Sequence, residues 1–188
     1  LVPIDPKALG SEAQARCPHI YHLLLRRPAG LDDDAFERNL YLVRKRIESR
    51  IEAAMQRRMY MPSLSHRTIS YKGLMVGEQM GHFYRDLVDA DFETAIALFH
   101  QRYSTNTFPR WSLAQPFRFL AHNGEINTIQ GNVNFMRARE PVLTSDVWGD
   151  DIKDLLPTVE NLASDSSALD NIFELLMLSG RDPLHTIM

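Results

Sequence analysis

Four positions carry polar groups suited to holding and polarising a small substrate. Arg102 follows an apolar segment, and its planar guanidinium can bind a carboxylate through two hydrogen bonds. Asn123 and Gly124 are consecutive, so a side-chain amide N–H and an unobstructed backbone N–H can together stabilise a developing oxyanion. Asp165 lies among serines and can bind an ammonium group. These residues are the candidate catalytic and substrate-binding groups.

Each candidate also has a structural interpretation that the residue types leave open. A guanidinium at the end of a buried strand is costly unless it is paired. The partner of Arg102 would be either a ligand carboxylate or an acidic side chain of this chain. Asn123 and Gly124 form a dipeptide that is typical of tight hairpin turns. Asp165 precedes an apolar helical segment, where it would belong to the helix cap.

Two histidines and one cysteine have weaker claims to chemistry. His100 and His122 follow two apolar segments at matching points, which suggests a metal site, but neither belongs to a known ligand spacing. We therefore expect hydrogen-bonded histidines and no metal. Cys17 has no fixed base beside it and no helix N-terminus, which favours a structural thiol.

Apolar or alternating segments must position these groups, and their patterns predict β-strands. Residues 94–99 are apolar on both faces, as in a strand buried between two layers, and residues 117–121 repeat the design. Residues 20–25 and 67–72 are also predicted strands. The side chains predicted to face the core are Ile69, Tyr71, Phe117, Phe119 and Phe135.

Helical periodicity predicts the remaining elements. Aspartates 32–34 suit a helix N-terminus because their charge opposes the positive end of the helix dipole. The helix is predicted to end at Arg57 and Arg58, with an apolar stripe of Phe36, Leu40, Val43, Ile47, Ile51 and Met55. Shorter helical segments are expected over residues 77–87 and from Asn127 to Arg139.

A last helix is predicted after Ser164–Ser167. Its apolar positions are Leu169, Ile172, Phe173, Leu176 and Met177, and Gly180 is placed to end it.

Composition limits the class of protein. The 188 residues are 44% hydrophobic and 24% charged with a net charge of -3, which fits one domain or a large piece of one, and no basic run indicates nucleic acid or a membrane surface. Apolar runs are far shorter than the ~20 residues of a spanning helix. We therefore expect a soluble protein. One cysteine fits a reducing compartment, and the expected location is the cytoplasm, or the plastid if the source is a plant or alga. The start at Leu1 and the lack of a terminal signature suggest a fragment.

The stretch HQRYSTNTFPRWSLAQPFRFLAHNGEINTIQGNVNFMRARE resembles the amidotransferase domain of the glutamate synthase large subunit. The segments SHRTISYKGLM and SDSSALDN also resemble this family, so the resemblance covers most of the chain. It implies a class II glutamine amidotransferase with the α+β N-terminal-nucleophile hydrolase fold, a four-layer αββα sandwich. Residues 1–188 would be the C-terminal part of that domain.

The resemblance also implies roles for the candidate residues. Arg102 matches the arginine that holds the glutamine α-carboxylate, Asn123 and Gly124 match the oxyanion pair, and Asp165 matches the acid that receives the α-ammonium. The family's nucleophile is an N-terminal cysteine followed by glycine, and this sequence has no such motif. We therefore expect the nucleophile upstream in the parent protein, and little activity from the isolated fragment.

The function implied is glutaminase, which supplies ammonia for the reductive amination of 2-oxoglutarate in the complete enzyme. Its FMN and iron–sulfur cluster would bind outside these residues, and its partners would be synthase domains of the same chain and an electron-donating subunit. Two alternatives stay open: a binding or interaction module that keeps the fold without catalysis, and an amidotransferase domain that serves another ammonia acceptor.

Overall fold

The computed structural model describes residues 1–55, 59–102, 108–126, 129–160 and 164–188. In these ranges the regular structure is helical, and an isolated antiparallel bridge joins Ile4 to Tyr84. The α-helices are α1 (Ser11–Ala15), α2 (Asp33–Met55), α3 (Met80–Phe83), α4 (Ile129–Arg139), α5 (Asp165–Leu178) and α6 (Pro183–Ile187). The 3-10 helices are Pro6–Ala8, Gly77–Gln79, Arg85–Val88, Trp111–Leu113, Glu140–Val142 and Gly149–Leu155. No helix within the described ranges is both long and apolar enough to cross a membrane.

Helix α2 begins where the aspartates predicted it would. The Asp32 carboxylate accepts a hydrogen bond of 2.7 Å from the Ala35 N–H, and Asp33 and Asp34 lie in the first turn. The predicted roles of Met55, Arg57 and Arg58 lie outside the residues whose side chains are described.

The buried face of α2 differs in part from the predicted stripe. Phe36 and Leu40 are buried as predicted, whereas Val43 is 39% exposed and its prediction is wrong. Tyr41 and Leu42 are buried instead, because they belong to a hydrophobic cluster that α2 forms with later segments of the chain. The members of this cluster are Tyr41, Leu42, Trp148, Ile152, Leu155 and Leu175.

A buried ion pair joins α2 to α5. The guanidinium of Arg44 donates to Glu174 on α5 at 2.5 Å and to Glu48 one turn along α2 at 2.9 Å. Arg44 is 1% exposed, so its charge is compensated inside the protein by these carboxylates. The pair fixes the lateral position of α5 against α2.

Helix α5 ends before Gly180 as predicted, and it begins within the predicted serine segment instead of after it. Ser164 is the N-cap, and its hydroxyl accepts from the Ser167 N–H at 3.1 Å. Gly180 follows the last turn with φ +94°, and the Arg181 N–H bonds back to the Leu176 carbonyl at 3.1 Å. Of the apolar positions that indicated this helix, Phe173 is buried, whereas Leu169 is 36% exposed.

A separate hydrophobic cluster packs the N-terminal residues against α3 and the Trp111 turn. Its buried members are Val2, Leu9, Phe83, Tyr84 and Trp111, and partly buried Cys17 and Tyr71 contact it. The core position predicted for Tyr71 is therefore confirmed, whereas Ile69 is 54% exposed. The helical prediction for residues 77–87 is also confirmed.

The predictions of strands over residues 20–25, 67–72, 94–99 and 117–121 are not matched by the described structure. These segments have no strand assignment, and Leu24, Ile96 and Phe99 are largely exposed. An apolar run becomes a strand only when a neighbour pairs with its backbone, and no ladder partner is present among the described residues. Residues 117–120 instead form a bend closed by the Phe117 N–H on the Leu120 carbonyl at 2.9 Å.

The predicted core aromatics divide. Phe117 is buried, Phe119 is at the surface with its ring 6.1 Å from that of Phe173, and Phe135 is 75% exposed on α4. The α4 helix itself is confirmed to Arg139, and its predicted start at Asn127 lies outside the described residues. No described hydrophobic layer covers this helix, because none of its described residues is buried.

Candidate functional site

Asp170 on α5 anchors the bend that precedes the Asn123–Gly124 pair. Its Oδ1 accepts from the N–H groups of Phe119 and Leu120 at 2.8 and 2.9 Å, and its Oδ2 accepts from Arg118 at 3.1 Å. Asp170 is 1% exposed, and this burial raises the pKa of its carboxyl against the lowering effect of the Phe119 N–H bond. The helix thus fixes the backbone of residues 118–120.

Asp165, five residues earlier on the same helix, holds the other side of the segment. Its Oδ2 accepts from the Ile126 N–H at 3.1 Å, and its Oδ1 accepts from the Ser166 N–H at 2.7 Å. The Ser166 bond shows that Asp165 does take part in the start of the helix. The Ser166 hydroxyl also donates to Oδ1 at 3.3 Å, and because a carboxylate has about four acceptor positions, these three bonds leave capacity for a further donor.

The Asn123–Gly124 pair therefore lies between two points attached to α5, and both residues are exposed. The hairpin-turn interpretation does not describe it, because the described residues on either side form no strand and Gly124 does not have a positive φ. A Cβ at Gly124 would lie 3.3 Å from the His122 Nδ1 atom. Close approach to His122 is thus the local reason for glycine at this position.

Gln115 and the two histidines complete the support of the pair. The Gln115 side chain donates to the His122 carbonyl at 3.0 Å and accepts from the His122 N–H at 2.9 Å. His100 Nε2 is 3.2 Å from the His122 carbonyl and 2.7 Å from Asn123 Oδ1. The Gly124 N–H donates to His122 Nδ1 at 3.1 Å. The expectation that His100 is hydrogen-bonded to neighbours is confirmed.

The prediction that Arg102 lies at the end of a buried strand is wrong. Residues 94–99 are exposed and so is Arg102, so burial imposes no need for a partner there. The side chain lies two residues beyond His100, which contacts Asn123, and extended chain rises at most ~3.6 Å per residue. Arg102 is thereby kept near the pair along the chain.

Cys17 belongs to the N-terminal cluster and not to this group of contacts. Its thiol is 3.6 Å from the Pro18 carbonyl, and burial raises its pKa, which disfavours the thiolate. Over the described part of the chain, no group of three or more His, Cys, Asp or Glu side chains is placed to hold a metal ion.

A cavity of about 270 Å³ is lined by residues of α2, of the bend and of α5. Its lining includes Lys45, Lys72, Phe117 and Asp170, and none of the predicted site residues borders it. Burial, together with the nearby charge of Arg118, lowers the pKa of Lys72 to about 7. The cavity is therefore distinct from the Asn123–Gly124 group.

Sequence reasoning missed Gln115 and Asp170 as parts of the site. Asp170 lies in the segment SDSSALDN, but its periodicity indicated only a helix position. Its inward direction depends on how α5 packs, and no local signal encodes this. Gln115 lies in a loop bracketed by Pro109 and Pro116, where the sequence gives no direction for a side chain.

The whole of residues 1–188 matches the family of class-II glutamine amidotransferases, and the chain belongs to this family. It is 46% identical over 180 residues to the glutamate synthase (NADPH) large chain of Azospirillum brasilense, which covers 96% of this chain and 12% of that protein. It is 46% identical over 189 residues to the large chain from Bacillus subtilis, with 100% of this chain and 12% of that protein covered.

A plant relative is similar at the same level. The chloroplastic ferredoxin-dependent glutamate synthase of Oryza sativa is 45% identical over 188 residues, which cover 100% of this chain and 12% of that protein. The chain thus spans 12% of the length of each of these relatives.

Proposed function

We propose that the chain is the part of a glutaminase site that binds glutamine and stabilises the oxyanion of its hydrolysis. Arg102 binds the α-carboxylate of glutamine through its guanidinium fork, and Asp165 accepts the α-ammonium. The Asn123 side-chain amide and the Gly124 N–H donate to the oxygen that becomes negative when the side-chain amide is attacked. The products are glutamate and ammonia.

The observation that carries this proposal is the attachment of one backbone segment to one helix at two points. Asp165 accepts from Ile126 at 3.1 Å and Asp170 accepts from Phe119 at 2.8 Å, with the oxyanion pair between them. Oxyanion donors work by being held in place before the charge develops, so such fixation is what the chemistry needs. Membership of the class-II amidotransferases supports glutamine as the substrate.

The Gly124 N–H must exchange its acceptor during the reaction. In this structure it donates to His122 Nδ1 at 3.1 Å, within hydrogen-bonding distance. The oxyanion replaces that nitrogen as acceptor and carries a full negative charge, which makes the new hydrogen bond the stronger one.

The nucleophile is assigned to a cysteine outside these residues. Cys17 is the single cysteine of the chain and packs in the N-terminal cluster. The external thiolate attacks the side-chain carbonyl carbon, the C–N bond breaks, and the nitrogen takes up a proton and leaves as ammonia. Water then cleaves the thioester, which gives glutamate and restores the thiol.

For the complete domain we propose the α+β N-terminal-nucleophile fold, a four-layer αββα sandwich. Its further layers would cover the apolar side chains now exposed over residues 94–99, among them Ile96 and Phe99. This proposal extends beyond the described residues, whose regular structure is helical.

For the complete protein we propose glutamate synthase, in the cytoplasm or a plastid. Ammonia passes to synthase domains of the same chain, where 2-oxoglutarate is aminated and reduced. FMN and an iron–sulfur cluster, both outside these residues, supply the electrons, which an electron-donating subunit can deliver.

The direct test is ammonia release from glutamine by the complete protein. The proposal expects release that depends on a Cys-Gly pair at the mature N-terminus and stops when that cysteine is changed to alanine. Tight glutamine binding without any release would instead favour a binding module. Release without amination of 2-oxoglutarate would favour an amidotransferase that serves another acceptor.

A further inference from the structure

The contacts of His100 determine where its proton lies. Its Nε2 is 3.2 Å from the His122 carbonyl oxygen, which can only accept a hydrogen bond. Nε2 must therefore carry hydrogen. The Nδ1 atom is buried without a hydrogen-bond partner among the described residues, so the neutral ring needs no proton there. The His100 imidazole thus donates its Nε2–H toward the backbone and side chain of residues 122 and 123.

This tautomer in turn determines the orientation of the Asn123 amide. The Asn123 side-chain oxygen lies 2.7 Å from His100 Nε2, and an N–H donor there requires an oxygen and not an amide nitrogen. The Nδ2 group, the only donor of this side chain, is then on the opposite branch of the amide. A rotated amide would place an oxygen lone pair where the oxyanion proposal needs an N–H.

We propose that His100 is a positioning residue that holds the Asn123 amide with its N–H group toward the developing oxyanion. The inference rests on the proposed function, because it assigns His100 an effect on catalysis through Asn123. The hydrogen bond to the His122 carbonyl ties the ring to the same segment, and Gln115 holds that carbonyl from a second direction at 3.0 Å.

The test uses the complete protein with its own nucleophile and two substitutions at this position. His100→Leu removes the donor, and His100→Gln retains an N–H donor near the place of Nε2. The lost hydrogen bond lowers kcat of glutamine hydrolysis about tenfold in His100→Leu and leaves KM nearly unchanged, because the oxyanion exists only after attack. His100→Gln recovers most of this loss.

A double-mutant cycle with Asn123→Ala separates positioning from a general structural role. If His100 acts through Asn123, His100→Leu costs almost nothing further in the Asn123→Ala background. An equal loss of kcat in both backgrounds overturns the proposal, as does a His100→Leu enzyme with normal kcat. Rates are normalised to the fraction of enzyme that forms the thioester, which removes the effect of misfolded protein.

A readout independent of turnover checks the same geometry. Nitrogen NMR shifts of the His100 ring should report Nε2–H, and this signal should move in Asn123→Ala. A ring protonated only at Nδ1 overturns the inference. If the wild-type protein releases no ammonia, the proposed function is contradicted, and so is the role of His100 in it. An active wild type with an unaffected His100→Leu variant overturns only the role of His100.

Discussion

Asp170 accepts the backbone N–H of Phe119 at 2.8 Å across a separation of 51 residues in the chain. The same carboxylate receives the N–H groups of Arg118 and Leu120, at 3.1 and 2.9 Å. A side chain from the middle of α5 therefore takes the place of a neighbouring strand in satisfying this backbone. The position of the bend that precedes Asn123 and Gly124 therefore depends on the Asp170 carboxylate.

Asp170→Ala should destabilise the protein by about 2–4 kcal/mol, because three backbone donors lose a charged acceptor at a buried position. Chemical denaturation measures the change in the free energy of unfolding. Asp146 is exposed, and Asp146→Ala is the matched control with an expected effect within about 0.5 kcal/mol. Equal effects of the two substitutions would contradict the anchoring role.

Arg44→Ala should cost about 3–5 kcal/mol of unfolding free energy, because buried Glu174 would lose its nearest cation and keep only Arg118, 3.9 Å away. Arg46 lies on the same helix and pairs with Asp151 and Asp154 at the surface, so Arg46→Ala should cost less than about 1 kcal/mol. The two variants are compared by denaturation in the same buffer. Strong salt dependence of the Arg44 effect would speak against a desolvated pair.

The unfolding free energy should rise with pH above about 7, because the pKa of Lys72 is lowered to about 7 by burial. Below this pH both states hold the proton. Between it and the usual value of 10.5 the unfolded state still binds a proton that the folded state has released, so higher pH favours folding. The slope attributable to Lys72 approaches about 1.4 kcal/mol per pH unit.

Denaturation of the wild type and Lys72→Met at several pH values between about 7 and 9 isolates this contribution. The substitution should remove the slope, whereas Lys153→Met, at a position that is 76% exposed, should keep it. Parallel curves for the wild type and Lys72→Met would show that Lys72 does not release its proton in this range.

The helices were predictable because their signals are local. Asp32 as an N-cap, Gly180 after α5 and the spacing of Phe36 and Leu40 all act within one or two turns. The burial of Tyr41 was not predictable, because it depends on the segment at Trp148, whose ring centroid lies 5.7 Å away. Strand predictions failed for the same reason, since pairing depends on neighbours distant in sequence.

The candidate site likewise combines residues that the sequence indicated with residues that only the fold reveals. Residue types selected Asn123 and Asp165 as candidates, and Asp165 accepts from the N–H of Ile126, three residues after Asn123, at 3.1 Å. They gave no indication of Asp170 or Gln115, whose contributions arise from side-chain direction in the folded chain. Arg102 is exposed, so the prediction that it lies at the end of a buried strand is wrong, and the role proposed for it rests on the family resemblance.

Arg102→Lys in the complete protein should raise KM for glutamine about 10- to 100-fold with little change in kcat. The lysine keeps the charge but loses the two-bond grip on a carboxylate that is the same in substrate and transition state. Steady-state kinetics across glutamine concentration measures both constants. Arg26→Lys, at another exposed position, is the control and should change neither. A normal KM in Arg102→Lys would remove Arg102 from the site.

The turnover of glutamine by Asn123→Ala in the complete protein tests the oxyanion assignment most directly. Loss of one oxyanion donor should lower kcat about 100- to 1,000-fold, with KM close to that of the wild type. Asn39 is exposed on α2, and Asn39→Ala should turn over normally. A kcat for Asn123→Ala equal to that of the Asn39→Ala control would contradict the account.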